Sequence, residues 1–161
     1  MRQTASAKTA QDEAPTFALD TAWSYKVTVL ADLVAKRVAA EVQKTSGLNL
    51  SQWRVLAAIA DKPGRTSTEV VEITPMDKPI VSRAVQALVD RGFLLREASQ
   101  EDGRRSYLRL TDEGEETYRA IVSALSDSGA FGLDVLSGDE LTAFNRELDD
   151  IIEKYRRLTT A

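Results

Sequence analysis

The side chains of this sequence that are able to do chemistry are hydrogen-bond donors and fixed cations rather than nucleophiles. The densest group is Asp102-Gly103-Arg104-Arg105, and a second set, Lys78, Pro79, Ser82, Arg83 and Gln86, recurs in alternating one- and three-residue steps. Steps of that kind fall on one helical face. Arginine and glutamine carry paired hydrogen-bonding groups that match guanine and adenine edges, whereas lysine and serine suit phosphate oxygens. An arginine at a turn is long, planar and always charged, which suits a narrow groove of high negative potential, and Asp102 can hold the Arg104 guanidinium extended. Each set also has a plainer use, as a solvated helix surface and as a local Asp102–Arg104 ion pair. Arg105 and Arg109 are open between phosphate and the acidic segment that follows them. Thr66, Ser67 and Thr68 can donate to a phosphate at a helix start, although capping explains Thr66 equally well.

What is missing narrows the chemistry further. The 161 residues include no Cys and no His, which excludes disulfides, Cys/His zinc sites, thiol redox sensing and histidine acid–base catalysis. Carboxylates remain, but Asp112, Glu113 and Glu116 fall at a helix start without paired placement. No catalytic residue, metal ligand or cofactor is therefore expected, and the chain reads as something other than an enzyme.

The formal net charge of −4 argues against a polyanionic partner only if it is spread evenly. It is not. Residues 54–110 hold ten basic and eight acidic residues, and residues 111–153 hold two and twelve. The negative charge belongs to one block, so the middle of the chain is judged separately. No apolar run approaches the roughly 18 residues of a membrane span. The first 15 residues lack the apolar core of a secretory signal. Residues 1–16 read as a flexible arm and the protein as cytoplasmic, associated with the nucleoid when bound to DNA.

The elements that must position these residues follow from periodicity and caps. Leu19, Trp23, Val27, Leu30, Leu33/Val34, Val38 and Val42 predict a long amphipathic helix over 17–46, ended by Gly47. Asn49 and Gln52 form a capping box, with Leu48 placed to staple onto Trp53, for a helix to about Ala60. Thr66 and Glu69 open a short helix through Ile73. Asp77, followed by Pro79 in the first turn, opens a helix that closes at Arg91-Gly92, with Val81, Ala84/Val85 and Leu88 facing inward. Residues 93–97 and 106–110 have strand length, and the polar segment between them makes a hairpin with a charged tip. Thr111 caps a helix ending between Ser128 and Gly132. Ser137 and Glu140 form a further box for a helix over 138–158. Helix, short helix, turn, helix and hairpin within 49–110 define a winged helix-turn-helix in a mainly α fold.

The chain resembles the MarR family of bacterial transcriptional regulators from about Leu19 to Leu158. The most specific stretch is Asp102 to Gly114 (DGRRSYLRLTDEG), which is similar to the family's wing signature: an Asp, an Arg two residues on, Leu-x-Leu-Thr, and a Gly three beyond the Thr. Leu48 to Leu56, and Val81-Ser82-Arg83 with Leu88 and Arg91-Gly92-Phe93, also match. The resemblance implies a winged helix-turn-helix flanked by terminal dimerisation helices (17–48 and 111–161). The implied function is a homodimer on double-stranded DNA at a pseudo-palindromic operator, most often as a repressor. It also implies a small aromatic or phenolic effector, for which Trp23 and Trp53 could wall a pocket and Arg54 could pair with a carboxylate. Helix staple and interface core are the competing uses of the two tryptophans, and pairing of the end helices within one chain competes with the dimer. The rival function is a helical winged-helix adaptor that binds protein partners without ligand sensing.

Overall fold

The computed structural model describes residues 18–19, 22–98, 106–130 and 136–159. The element order is α1 (Trp23–Ser46), α2 (Leu50–Asp61), α3 (Ser67–Ile73), α4 (Lys78–Asp90), β1 (Leu94–Ala98), β2 (Ser106–Leu110), α5 (Asp112–Asp127) and α6 (Gly138–Thr159). This is the expected mainly α fold with one hairpin wing. The arm 1–16 and the tip residues Asp102, Arg104 and Arg105 lie outside the described residues. None of the described helices is long and apolar enough to cross a membrane.

The caps form as their residue types dictate. Asn49 accepts from the Gln52 N–H at 3.0 Å while the Gln52 side chain accepts from the Asn49 N–H at 2.9 Å, so two otherwise orphaned donors at the start of α2 are satisfied together. The same reciprocal pattern joins Thr66 to Glu69 and Ser137 to Glu140. Asp77 accepts from the Ile80 N–H at 2.8 Å. Gly92, at φ +77°, takes the left-handed conformation that ends α4.

The chain divides into two units, Met1–Asp32 and Leu33–Ala161. In the first, Ala22 donates to the carbonyls of Ala18 and Leu19, each at 3.2 Å, and α1 opens at Trp23 rather than Phe17. The periodic pattern runs on upstream because Leu19 has helical spacing, but Leu19 lies in a turn ahead of the helix. In the second unit one core is built from Val42 of α1, Leu48, the inner faces of α2 to α4, the hairpin and α5. Leu56, Ile59, Val70, Val81, Val85, Leu88, Leu108, Ile121 and Leu125 are fully buried there. Removing each such side chain from water contributes about 1.5–3 kcal/mol. No polar side chain is buried among the described residues. The hairpin starts one residue later than expected, at Leu94, because the Phe93 N–H still bonds back to Leu88. α6 contributes no residue to the core.

Candidate nucleic-acid interface

Helix α4 packs on α2 and α3, and its two faces are cleanly divided. Val81, Ala84, Val85 and Leu88 are buried, while Lys78, Pro79, Ser82, Arg83 and Gln86 are all exposed in one stripe. The division follows from the apolar positions: once these fill the core, the polar set has no other direction to point. Arg83 borders a surface cleft of about 370 Å³ that runs between α4 and the residues opening α2, Asn49, Ser51 and Gln52.

The wing is anchored from two sides. Strands β1 and β2 pair antiparallel, with Leu94 opposite Leu110 and Arg96 opposite Leu108. Leu108 also exchanges backbone hydrogen bonds with the segment before α3, accepting from Gly64 at 2.9 Å and donating to Arg65 at 3.0 Å. Glu97 and Arg109 form an ion pair across the strands at 2.7 Å. That pair gives Arg109 a carboxylate partner on β1, a use distinct from the two expected of it. At the wing's exit the Thr111 hydroxyl accepts from the Gly114 N–H at 2.9 Å and donates to the Gly92 carbonyl at 2.6 Å, joining the end of α4 to the start of α5. Gly114 has a steric reason to be glycine. A Cβ there would lie 2.1 Å from the Phe93 carbonyl oxygen.

The other proposed contacts are scattered differently. The Thr66 hydroxyl is occupied by Glu69, from whose N–H it accepts at 3.2 Å and to whose carboxylate it donates at 3.0 Å. The backbone and hydroxyl donors of Thr66 hold the Glu69 carboxyl below its ordinary pKa, against a smaller opposing effect of burial. Ser67 is half-buried and Thr68 exposed in the first turn of α3. Trp53 is only 8% exposed and stacks on Tyr118 with ring centroids 5.7 Å apart. Arg54 beside it is half-buried, and Trp23 of α1 is exposed. A second cleft, of about 380 Å³, lies over Tyr118. It is lined by Ala60 of α2, Pro63 after it, Arg109 and Leu110 of β2, and Glu115 and Arg119 of α5.

Sequence reasoning missed Arg96, Asp90, Tyr118 and Arg119. The register signal for Arg96 was available, since it shares the parity of Leu94, but the adjacent Leu95 blurs the alternation. Gln86, read as a base contact, has both ends of its amide engaged within the protein: Arg96 donates to it at 3.1 Å, and it donates to Asp90 at 2.7 Å.

Comparison with known proteins decides what this winged unit belongs to. A family model described as MarR family matches residues 46–105. The transcriptional regulator HosA of Escherichia coli O111:H- is 30% identical over 115 residues, covering 71% of this chain and 85% of that protein. The chain belongs to the MarR family. Two solved members of like fold are each 25% identical to it. The Streptomyces coelicolor transcriptional regulator PcaV, in complex with its natural ligand, superposes with a TM-score of 0.69 over 87% of this chain and 98% of its own. The transcriptional repressor CouR, bound to a 23-mer DNA duplex, gives 0.72 over 83% and 94%. The protein is thus a DNA-binding transcriptional regulator of the MarR family, whose fold is that of regulators and not of enzymes. Membership sets aside the adaptor reading.

Proposed function

We propose that this MarR-family regulator is a repressor that acts as a homodimer on a pseudo-palindromic operator, with its hold on DNA modulated by a small aromatic or phenolic ligand. The observation that carries the dimer is the exposed apolar surface of the end helices. Trp23, Val27, Leu30 and Leu33 of α1 and Ile151, Ile152, Tyr155 and Leu158 of α6 are each between 39% and 74% exposed. Apolar area of that kind contributes roughly 25 cal/mol per Å² when a second copy covers it. Two copies present two α4 helices, and a spacing near 34 Å places both in successive major grooves. Lys78, Pro79, Ser82 and Arg83 then face the groove from each copy. Asp102, Arg104 and Arg105 of the wing tip, with Ser67 and Thr68, supply flanking contacts.

The cleft over Tyr118 supports the ligand reading. Its volume suits one ring, Trp53 backs its aromatic floor, and Arg109 and Arg119 offer guanidinium groups for a carboxylate. A ligand there presses on β2 and α5 together, and so biases the spacing of the two DNA-binding units. The test combines light scattering with gel shift on fragments selected from random DNA. A species of twice the chain mass that protects a two-fold site, and is released by substituted benzoates or phenols, is the expected outcome. A monomer that protects a single half-site contradicts the proposal.

A further inference from the structure

On the face that the wing turns toward the core, one side chain among the described residues is charged. Leu94, Arg96 and Ala98 of β1 share that face with Leu110, Leu108 and Ser106 opposite them, and Leu94 and Leu108 are buried on it. Arg96 occupies the place where the hairpin leaves the core, beside α4. Its Nη2 donates to Oε1 of Gln86 at 3.1 Å, and Nε2 of Gln86 donates to Oδ1 of Asp90, one helical turn on, at 2.7 Å. The amide has only one sensible orientation. Reversed, its oxygen would meet the Asp90 carboxylate and its NH₂ group the Arg96 guanidinium, two acceptors and two donors facing each other.

Reading adenine requires both ends of a glutamine, one accepting from N6 and one donating to N7. Here both ends already serve charge-assisted hydrogen bonds, which are stronger than neutral ones. Exchanging them for a base would leave Arg96 and Asp90 without this partner.

We propose that Gln86 is a positioning residue which, with Asp90 and Arg96, latches the first strand of the wing to the recognition helix and does not read a base. This rests on α4 presenting its outer face to DNA. The latch keeps the angle between wing and helix in the unbound protein close to the one binding needs. All three side chains are exposed, so loosening them leaves the core intact while the wing must be ordered on DNA.

The test measures base preference at each position by selection from a randomised double-stranded DNA library, together with affinity for the best fragment. In Gln86→Glu the new carboxylate would still accept from Arg96 but cannot donate to adenine, and a carboxylate favours the cytosine amino group. Gln86→Glu and Arg96→Ala are therefore expected to keep the wild-type preference at every position. Gln86→Ala and Arg96→Ala each weaken binding about 5- to 10-fold, the double variant no further than the worse single one, and Arg96→Lys by less than about threefold. A preference that moves from adenine to cytosine in Gln86→Glu alone overturns the latch. So do single effects that multiply in the double variant, or single variants that bind like wild type. Arg83→Ala tells the latch apart from the reading beneath it: unchanged affinity in that variant refutes α4 as the DNA-facing helix, and the latch with it.

Discussion

The DNA-binding unit and the end helices are built on opposite principles. From α2 to α4 each helix is capped, and the inward apolar side chains of these helices and of the hairpin share one core. α6 buries none of its residues, and the first ten residues of α1 are exposed throughout. The first region finds its burial within the single chain, together with Val42 of α1 and with α5. The second carries large apolar side chains that are exposed in the single chain and that the proposed dimer would cover, so the two regions should respond differently to mutation.

The largest effect separating them is expected from Leu88→Ala. It empties a fully buried position and should cost about 2–5 kcal/mol in urea unfolding at any protein concentration. Ile152→Ala, on exposed α6, should cost less than about 0.5 kcal/mol in the isolated chain. It should instead make the unfolding midpoint less dependent on protein concentration than in the wild type. Equal, concentration-independent losses would break the comparison.

Gly114→Ala sharpens it at the joint between wing and α5. The Phe93 carbonyl that a Cβ would strike is backbone and also accepts from Thr111, so the strain cannot be relieved by a side-chain rotation. A loss of about 2–3 kcal/mol in thermal unfolding is expected. Thr111→Ala removes a cap and a bond to Gly92 together and should cost about 1–2 kcal/mol.

The smallest effect is in pH. Glu69 has its folded pKa held below the ordinary value, chiefly by the Thr66 backbone and hydroxyl. Its contribution to stability is therefore complete above the ordinary carboxylate range and is lost as pH falls through the lowered value. Because Glu69 is partly exposed, the change is modest. Comparing acid unfolding of wild type and Thr66→Val tests the hydroxyl's share of it, the backbone donor being kept: the variant should show a somewhat shallower loss over that range.

Much of the fold was legible because its signals are local. Capping boxes at Asn49, Thr66 and Ser137, proline in the first turn of α4 and glycine at its end each act within a few residues, so the chain announces them in order. The split of α4 was legible for the same reason. What escaped were contacts between elements. Arg96 meets Gln86 only because register turns one strand position toward the helix, and Tyr118 meets Trp53 across a long separation in the chain. Residue type and face both fit Gln86 to a base reader, while its bonds to Arg96 on β1 and to Asp90 depend on packing. At the amino end of α1 the error ran the other way: apolar spacing continues to Leu19, but the helix opens only at Trp23.

Both the operator reading and the latch depend on the outer face of α4 meeting DNA. Fluorescence anisotropy of wild type and Arg83→Ala, on a duplex selected from random DNA and titrated over a salt series, tests this directly. We predict a loss of about tenfold or more for the variant, a steep fall of log affinity with log salt for the wild type, and an unchanged melting temperature. Equal affinity and equal salt slope for the two proteins would contradict it.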